Sequence, residues 1–440
     1  MSIFKAYDIR GIYPSELDDK LARKIGWAAA RFLKAKTLVV GRDVRVSSEA
    51  VAMAAVEGAR AAGADIVDIG VVTTPMCYYA TGKLEVDGSL MVTASHNPRE
   101  YNGFKMCREK AIPLSEDTGI RDIEKLCAGD IVPAAKKGAI RKVDISAEYV
   151  RHVAGFAGDI RALTVCVDTA NGSAGIFFPG LAATLPIKVL PLFFQPDGSF
   201  PNHGPNPMKD ENTEALQNLI LNEKADLGVA FDGDADRCIF FDELGHRVPS
   251  DLVTALLARE ALARESKGVV VYDLRSSDVV REEIERAGGV AVRNRVGHAF
   301  IKNVMRRHNA VLGGELSGHF YFRDNYYADS GFLALLKMLN IISSEGRTLS
   351  ALLKPLQRYH ATGEINFHVD DPDKRIEALA RAFADGTQDR MDGITVRYGD
   401  WWFNVRKSNT EPILRLNLEA RTADTMTRMR RRVEDVIAGT

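Results

Sequence analysis

The feature that most constrains this chain is a plan written three times along it. An apolar run ends on an aspartate, a polar loop follows, then a helical stretch, then a second apolar run. The first copy is KTLVVGRDVRVSSEAVAMAAVEGARAAGADIVDIG, the second opens with LTVCVDTANGSAG and returns with IKVLPLFF, and the third is GVVVYDLRSSDVVREEIERAGGVAVRNRVG. The strand-ending aspartates are Asp43, Asp168 and Asp273. Apolar runs alternating with helical periodicity build βαβ units in parallel or mixed sheets. The expectation is an α/β protein: three tandem related α/β domains with mixed sheets, over residues 1–144, 145–247 and 248–360. Beyond 361 the pattern changes to EINFHV, a helix from Pro372 to Phe383, GITVRYGDWWFNVR, ILRLNLEA and a last helix, which reads as an α+β domain over 361–440. Loops beyond strand C-termini carry ligands in such sheets, so loops of successive domains can face one central cleft.

Composition narrows the function. The 440 residues carry 58 Lys plus Arg against 59 Asp plus Glu, a formal net charge of −1. That balance predicts no nucleic-acid or membrane-surface partner. Cys77, Cys107, Cys127, Cys166 and Cys238 are scattered and form no C-x-x-C pair, which fits a reducing cytoplasm. The start, MSIFKAYDIRG, lacks a signal-peptide pattern, and the longest apolar tract, Phe332–Ile342, is interrupted by Lys337 and reads as a buried helix.

Four polar loops carry candidate chemistry. DGDADR places Asp232, Asp234 and Asp236 in alternation with small residues between two apolar runs. Three such carboxylates repel unless a cation sits among them, and all-oxygen ligation suits Mg²⁺. An EF-hand is rejected, because its sixth position is Arg237 rather than glycine. A solvated acidic turn is the plainer alternative. TASHNP can present the Ser95 hydroxyl to a cleft, or be a turn whose serine bonds its own backbone. Ser95 and His96 are not expected to pair, since sequence neighbours rarely align for proton transfer. GGELSGH offers Glu315, Ser317 and His319, a carboxylate and polar groups suited to sugar hydroxyls, or a glycine-rich turn. RKSNTEP gathers Arg406, Ser408, Asn409 and Thr410, with Arg415 on the next strand, as a phosphate cradle or a plain polar hairpin. His298, in RVGHAF just beyond a strand, is a further cleft candidate. No Walker-type or G-x-G-x-x-G motif occurs, which argues against P-loop and common dinucleotide enzymes.

In this order and spacing, from KAYDIRG at Lys5–Gly11 to RKSNTEP, the loops resemble the α-D-phosphohexomutase superfamily, in its phosphomannomutase/phosphoglucomutase branch. The resemblance implies a phosphoryl carrier at Ser95, with one Mg²⁺ per chain held by Ser95, Asp232, Asp234 and Asp236. It implies a sugar loop at GELSGH and a phosphate loop at RKSNTEP. It carries the family lysine of the NGFK stretch onto Lys105 and the arginine of AYDIRG onto Arg10. Ala235 stands where the family often has glycine, and Arg275 where it often has lysine, which keeps the charge but changes its geometry. Asn409 and Leu316 match the mannose/glucose branch.

The expected activity is interconversion of mannose 6-phosphate and mannose 1-phosphate, with glucose phosphates also used. Ser95, Lys105, His298 and Arg10 are the catalytic candidates, and Arg237 and Arg275 join the substrate-binding set. Hexose phosphates are the expected substrates, a hexose 1,6-bisphosphate the activator, and the chain a cytoplasmic monomer or weak homodimer. A sugar-phosphate phosphatase and a non-catalytic sugar-phosphate or metal-binding protein are the alternatives.

Overall fold

The computed structural model describes residues 2–408 and 413–439. Four sheets follow one another along the chain. In the first, the strands run in the order Ile9–Ile12, Tyr101–Arg108, Gly88–Val92, Thr37–Arg42, Asp65–Val71 and Ile140–Lys142. The first two pairings are antiparallel and the rest parallel. The second orders Cys238–Phe241, Leu227–Phe231, Leu163–Asp168 and Ile187–Leu192. The third orders Val290–Asn294, Val269–Asp273, Leu312–Gly314, Phe320–Phe322 and Ala328–Asp329. Both are mixed, with antiparallel pairing confined to one edge. The fourth sheet is antiparallel throughout, in the order His360–His368, Ile413–Ala420, Trp401–Lys407, Ile394–Arg397 and Thr387–Asp389.

The three repeats share a local device that explains their aspartates. Each carboxylate accepts the backbone N–H two residues on: Arg45 N to Asp43 Oδ1 at 3.0 Å, Ala170 N to Asp168 Oδ1 at 2.8 Å, and Arg275 N to Asp273 Oδ1 at 2.8 Å. The side chain closes a turn where the strand stops and so releases the chain into the loop.

One apolar core runs through the first three sheets, from Val39 and Met76 through Phe178 and Phe231 to Phe332 and Leu356. The helix Gly331–Glu345 lies within it, and Lys337 reaches out to Glu260 Oε1 at 3.2 Å. The fourth sheet has its own core, around Phe383, Phe403, Leu416 and Val433. Polar contacts join it to the third sheet's layer: Arg293–Asp389 and Arg397–Asp278 ion pairs, Arg275 with Glu364, and Asp278 N donating to Glu419 Oε1 at 2.9 Å. No helix among the described residues is long and apolar enough to cross a membrane.

Candidate active site

Loops from all four sheets line one cleft of about 1120 Å³. At its floor the TASHNP and DGDADR loops meet. Ser95 Oγ donates to Asp232 Oδ2 at 2.7 Å, and Ser95 and the three aspartates are 0% exposed. The approach is close enough that a Cβ on Gly233 would lie 2.7 Å from the Ser95 carbonyl oxygen, so the position requires glycine. Ala235 sits at φ +62°, a left-handed conformation that is costly for a residue with a Cβ. The substitution of alanine for the frequent glycine therefore leaves the turn formed but strained.

Two sequence expectations about Ser95 change here. Its hydroxyl is not presented to the open cleft: with φ +52°, the residue turns inward onto Asp232. The same turn swings His96 round, so that its Nδ1 lies 3.2 Å from Ser95 Oγ, a contact that sequence adjacency argued against. Burial, then the Arg237, Arg10 and Lys105 charges, holds His96 well below the usual imidazole range and keeps it neutral.

The loop is held by residues that sequence reasoning missed. Arg45, fully buried behind it, donates to the carbonyls of Ser95 (2.8 Å), Asn97 (2.6 Å) and Pro98 (2.7 Å). Thr93 Oγ1 accepts from Ser95 N at 2.9 Å and donates to Asp43 Oδ2 at 2.7 Å. The adjacent GRD-V-R string, with its charge pair at a strand end, was the available signal.

The three aspartates can hold a metal ion, since one oxygen of each lies within 4.8 Å of the others. Asp234 Oδ1 and Asp236 Oδ1 are buried and have no hydrogen-bond partner among the described residues. Orphaned carboxylate oxygens in such a buried acidic cluster fit a hard divalent cation. Burial, followed by the charges of Asp234 and Asp236, pushes the Asp232 carboxyl well above the usual carboxylate range. For Asp234 burial acts the same way, but Lys105 at 2.8 Å and Thr74 Oγ1 at 2.6 Å outweigh it and hold the group below that range. Lys105 Nζ also pairs with Asp236. Glu243, the twelfth residue of the rejected EF-hand, accepts from Ser350 N at 3.1 Å instead.

Around this floor stand two imidazoles with carboxylate partners. His298 Nε2 lies 3.1 Å from Asp8 Oδ1, and Arg10 holds the other oxygen, Oδ2, at 2.7 Å. Arg10 also donates to Asn97 Oδ1 at 2.5 Å. Burial lowers the His298 pKa and Asp8 opposes it only in part. His319 Nε2 accepts from Arg237 Nε at 2.9 Å, which leaves the ring proton on Nδ1, 2.7 Å from Asp329 Oδ2. Asp329 pairs in turn with Lys302 at 2.6 Å, with both side chains 0% exposed. Asp8 lies in the AYDIRG string beside Arg10, but its pairing with His298, 290 residues on, has no signature in the sequence, and neither has that of Asp329 with Lys302 and His319.

On the third and fourth sheets, Glu315 accepts a short hydrogen bond from the Tyr321 hydroxyl, and Ser317 Oγ lies 3.4 Å from its Oε2. Arg275 pairs with Asp273 at 2.7 Å and reaches Glu364, as do Arg406 and Arg415. Ser408 lines the cleft with them. Asn409 and Thr410 lie outside the described residues.

Similarity to known proteins runs along nearly the whole chain. Residues 1–130, 147–245, 249–359 and 364–436 match, in order, phosphoglucomutase/phosphomannomutase α/β/α domains I, II and III and the C-terminal domain. A Xanthomonas campestris protein called phosphohexose mutases is 43% identical over 425 residues, 95% of each chain. A phosphomannomutase of Salmonella montevideo is 40% identical over 434 residues, covering 96% of this chain and 95% of its own. A crystal structure of a phosphoglucomutase/phosphomannomutase family protein from Burkholderia thailandensis superposes with a TM-score of 0.91 at 33% identity, covering 99% of this chain and 97% of that one. With four domain matches in order and relatives this similar over nearly the full length, the chain belongs to the phosphoglucomutase/phosphomannomutase family.

Proposed function

We propose that this protein is a phosphohexomutase that interconverts mannose 6-phosphate and mannose 1-phosphate, accepts glucose phosphates as well, and carries the transferred phosphoryl group on Ser95. The observation that carries the reading is the 2.7 Å contact of Ser95 Oγ with one member of a buried aspartate trio, just beneath the His96 and Arg237 side of a cleft rich in arginine. Mannose-phosphate use is supported by the name of the Salmonella montevideo relative, phosphomannomutase, and glucose-phosphate use by the phosphoglucomutase/phosphomannomutase family description.

In this reading Mg²⁺, one per chain, would be held by Asp232, Asp234, Asp236 and an oxygen on Ser95, and when bound it supplies charge neutralisation for the transferring oxygens. Lys105, kept protonated because Asp234 and Asp236 outweigh its burial, adds positive charge at the same place. That protonation suits it to neutralisation rather than to taking a proton. His298, pushed toward the neutral form by burial, is the better base for the sugar hydroxyl. Arg237, whose guanidinium donates to His319 and lines the cleft, is placed to meet the phosphoryl group in this reading. Glu315, Ser317 and His319 orient the sugar, while Arg406, Ser408, Asn409, Thr410, Arg415 and Arg275 hold the phosphate that is not being transferred.

Transfer forms a bond from the sugar hydroxyl oxygen to phosphorus, breaks the Ser95 Oγ–phosphorus bond and yields the hexose 1,6-bisphosphate. The bisphosphate turns round, and the second transfer restores phosphoserine, so a hexose 1,6-bisphosphate serves as activator in this reading. The four-domain division near residues 144, 247 and 360 belongs to the same proposal. The last domain, with its separate core and polar attachment, acts as a lid that keeps water from the phosphoserine. The molecule works in the cytoplasm as a monomer or weak homodimer. The test is a coupled assay on mannose 1-phosphate and glucose 1-phosphate with Mg²⁺ and bisphosphate. Conversion to 6-phosphates supports the proposal, whereas net release of inorganic phosphate would identify a phosphatase and binding without turnover a passive binder.

A further inference from the structure

Arg406 and Arg415 are directly opposite one another on neighbouring strands, and Arg275 reaches toward them from the third sheet. Like charges opposite each other across a sheet destabilise it, so this arrangement requires an anion. Glu364 provides one. Its Oε2 accepts from Arg406 Nη2 at 2.9 Å and Arg275 Nη1 at 3.3 Å, and its Oε1 accepts from Arg415 Nη1 at 3.0 Å. The three guanidiniums outweigh the burial of Glu364 and push its carboxyl down to about 2, so it is ionised at any working pH.

The two sides of this cluster differ in freedom. The Arg406 side chain is 2% exposed, whereas that of Glu364 is 23% exposed and lines the cleft. Glu364 also follows Gly363, at φ +68° with open space around it, and a register shift between Ala361 and Glu364 interrupts the strand there. Thr362 and Gly363 stand out of the ladder, and Glu364 is the first residue back in register, opposite Asn417, at a place where an irregularity re-aims side chains.

We propose that Glu364 is a resident stand-in for phosphate: its carboxylate occupies the three-arginine fork and is displaced when the phosphate of the substrate enters. The inference rests on the reading of Arg406 and its neighbours as a phosphate pocket. It adds a role for a carboxylate in a mutase. The fork must release its phosphate midway, when the bisphosphate turns round, and an anion waiting beside it competes for the arginines and eases that release. A pocket without the competitor holds phosphate too tightly to let the intermediate turn.

The experiment is calorimetric titration of inorganic phosphate into the Mg²⁺-loaded, full-length wild type, E364Q and R406A. The expected result is about tenfold tighter phosphate binding by E364Q than by wild type, and weaker binding by R406A. In steady state E364Q should show a lower KM together with a lower kcat, since release becomes harder. If R406A binds more weakly than wild type but E364Q binds no more tightly, the displacement is overturned and the pocket stands. If wild type and R406A bind alike, the pocket itself fails and the inference with it. A crystal of wild-type protein soaked in inorganic phosphate decides the matter should E364Q not fold. Glu364 should leave hydrogen-bond reach of Arg406, and a carboxylate still in place beside bound phosphate would refute the exchange.

Discussion

Ser95 Oγ donates to Asp232 Oδ2 at 2.7 Å, a contact between loops 137 residues apart that joins the first sheet's layer to the second. S95A should lower mutase turnover by about 10⁴-fold or more, because the acceptor oxygen of the phosphoryl group is gone. The loss of one buried donor should cost about 1–3 kcal/mol of stability, so the variant still folds. Turnover near the wild-type rate in a folded S95A protein would remove the covalent route.

Chelation should abolish turnover, and added Mg²⁺ should restore it. The same ion should raise the thermal midpoint, since a ligand at 100 times its Kd stabilises by about 2.7 kcal/mol. The effect arises from the three buried carboxylates, whose mutual repulsion the ion relieves. A midpoint and a rate both indifferent to the chelator would detach the aspartates from metal binding.

Lys302 and Asp329 form a fully buried ion pair behind His319. Breaking such a pair from one side leaves an uncompensated charge and costs about 3–5 kcal/mol. D329N and K302M should each show that loss in denaturant titration, while the double variant should lose much less than the sum. Additive losses would mean that the pair does not act as a unit.

Glu419 gives a pH dependence of stability. Burial lifts its carboxyl to about 7 in the folded protein, against hydrogen bonds from Asp278 N and Trp402 Nε1 that favour the anion. The folded state therefore holds a proton that the unfolded chain releases near 4.5, and stability falls as pH rises between those values. The contribution lost is on the order of 3 kcal/mol. E419Q should remove this component, so that the difference in stability between variant and wild type grows in the variant's favour from pH 5 to pH 8. A constant difference across that range would show that Glu419 does not titrate there.

Much of this molecule could be read from local pattern. The strand-ending Asp43, Asp168 and Asp273 marked three repeats because each closes a turn with its own backbone two residues on, an interaction written within a few positions. The carboxylate cluster of DGDADR could be read for the same reason, since alternating carboxylates are neighbours in any fold. The pairings of Arg45, Asp8, Asp329 and Glu364 could not, since only the fold brings these side chains to the Ser95 loop, His298, His319 and the arginine fork.

Ser95 shows the division most clearly. Its short-range sequence announced a tight turn, and the chain delivers one. The direction in which the hydroxyl points, inward to Asp232 rather than out to the cleft, came from the packing of two layers against each other. Patterning specifies elements and loop chemistry because those depend on residues close along the chain. Pairing between distant charges is set by how the sheets pack, and that is a property of the assembled core.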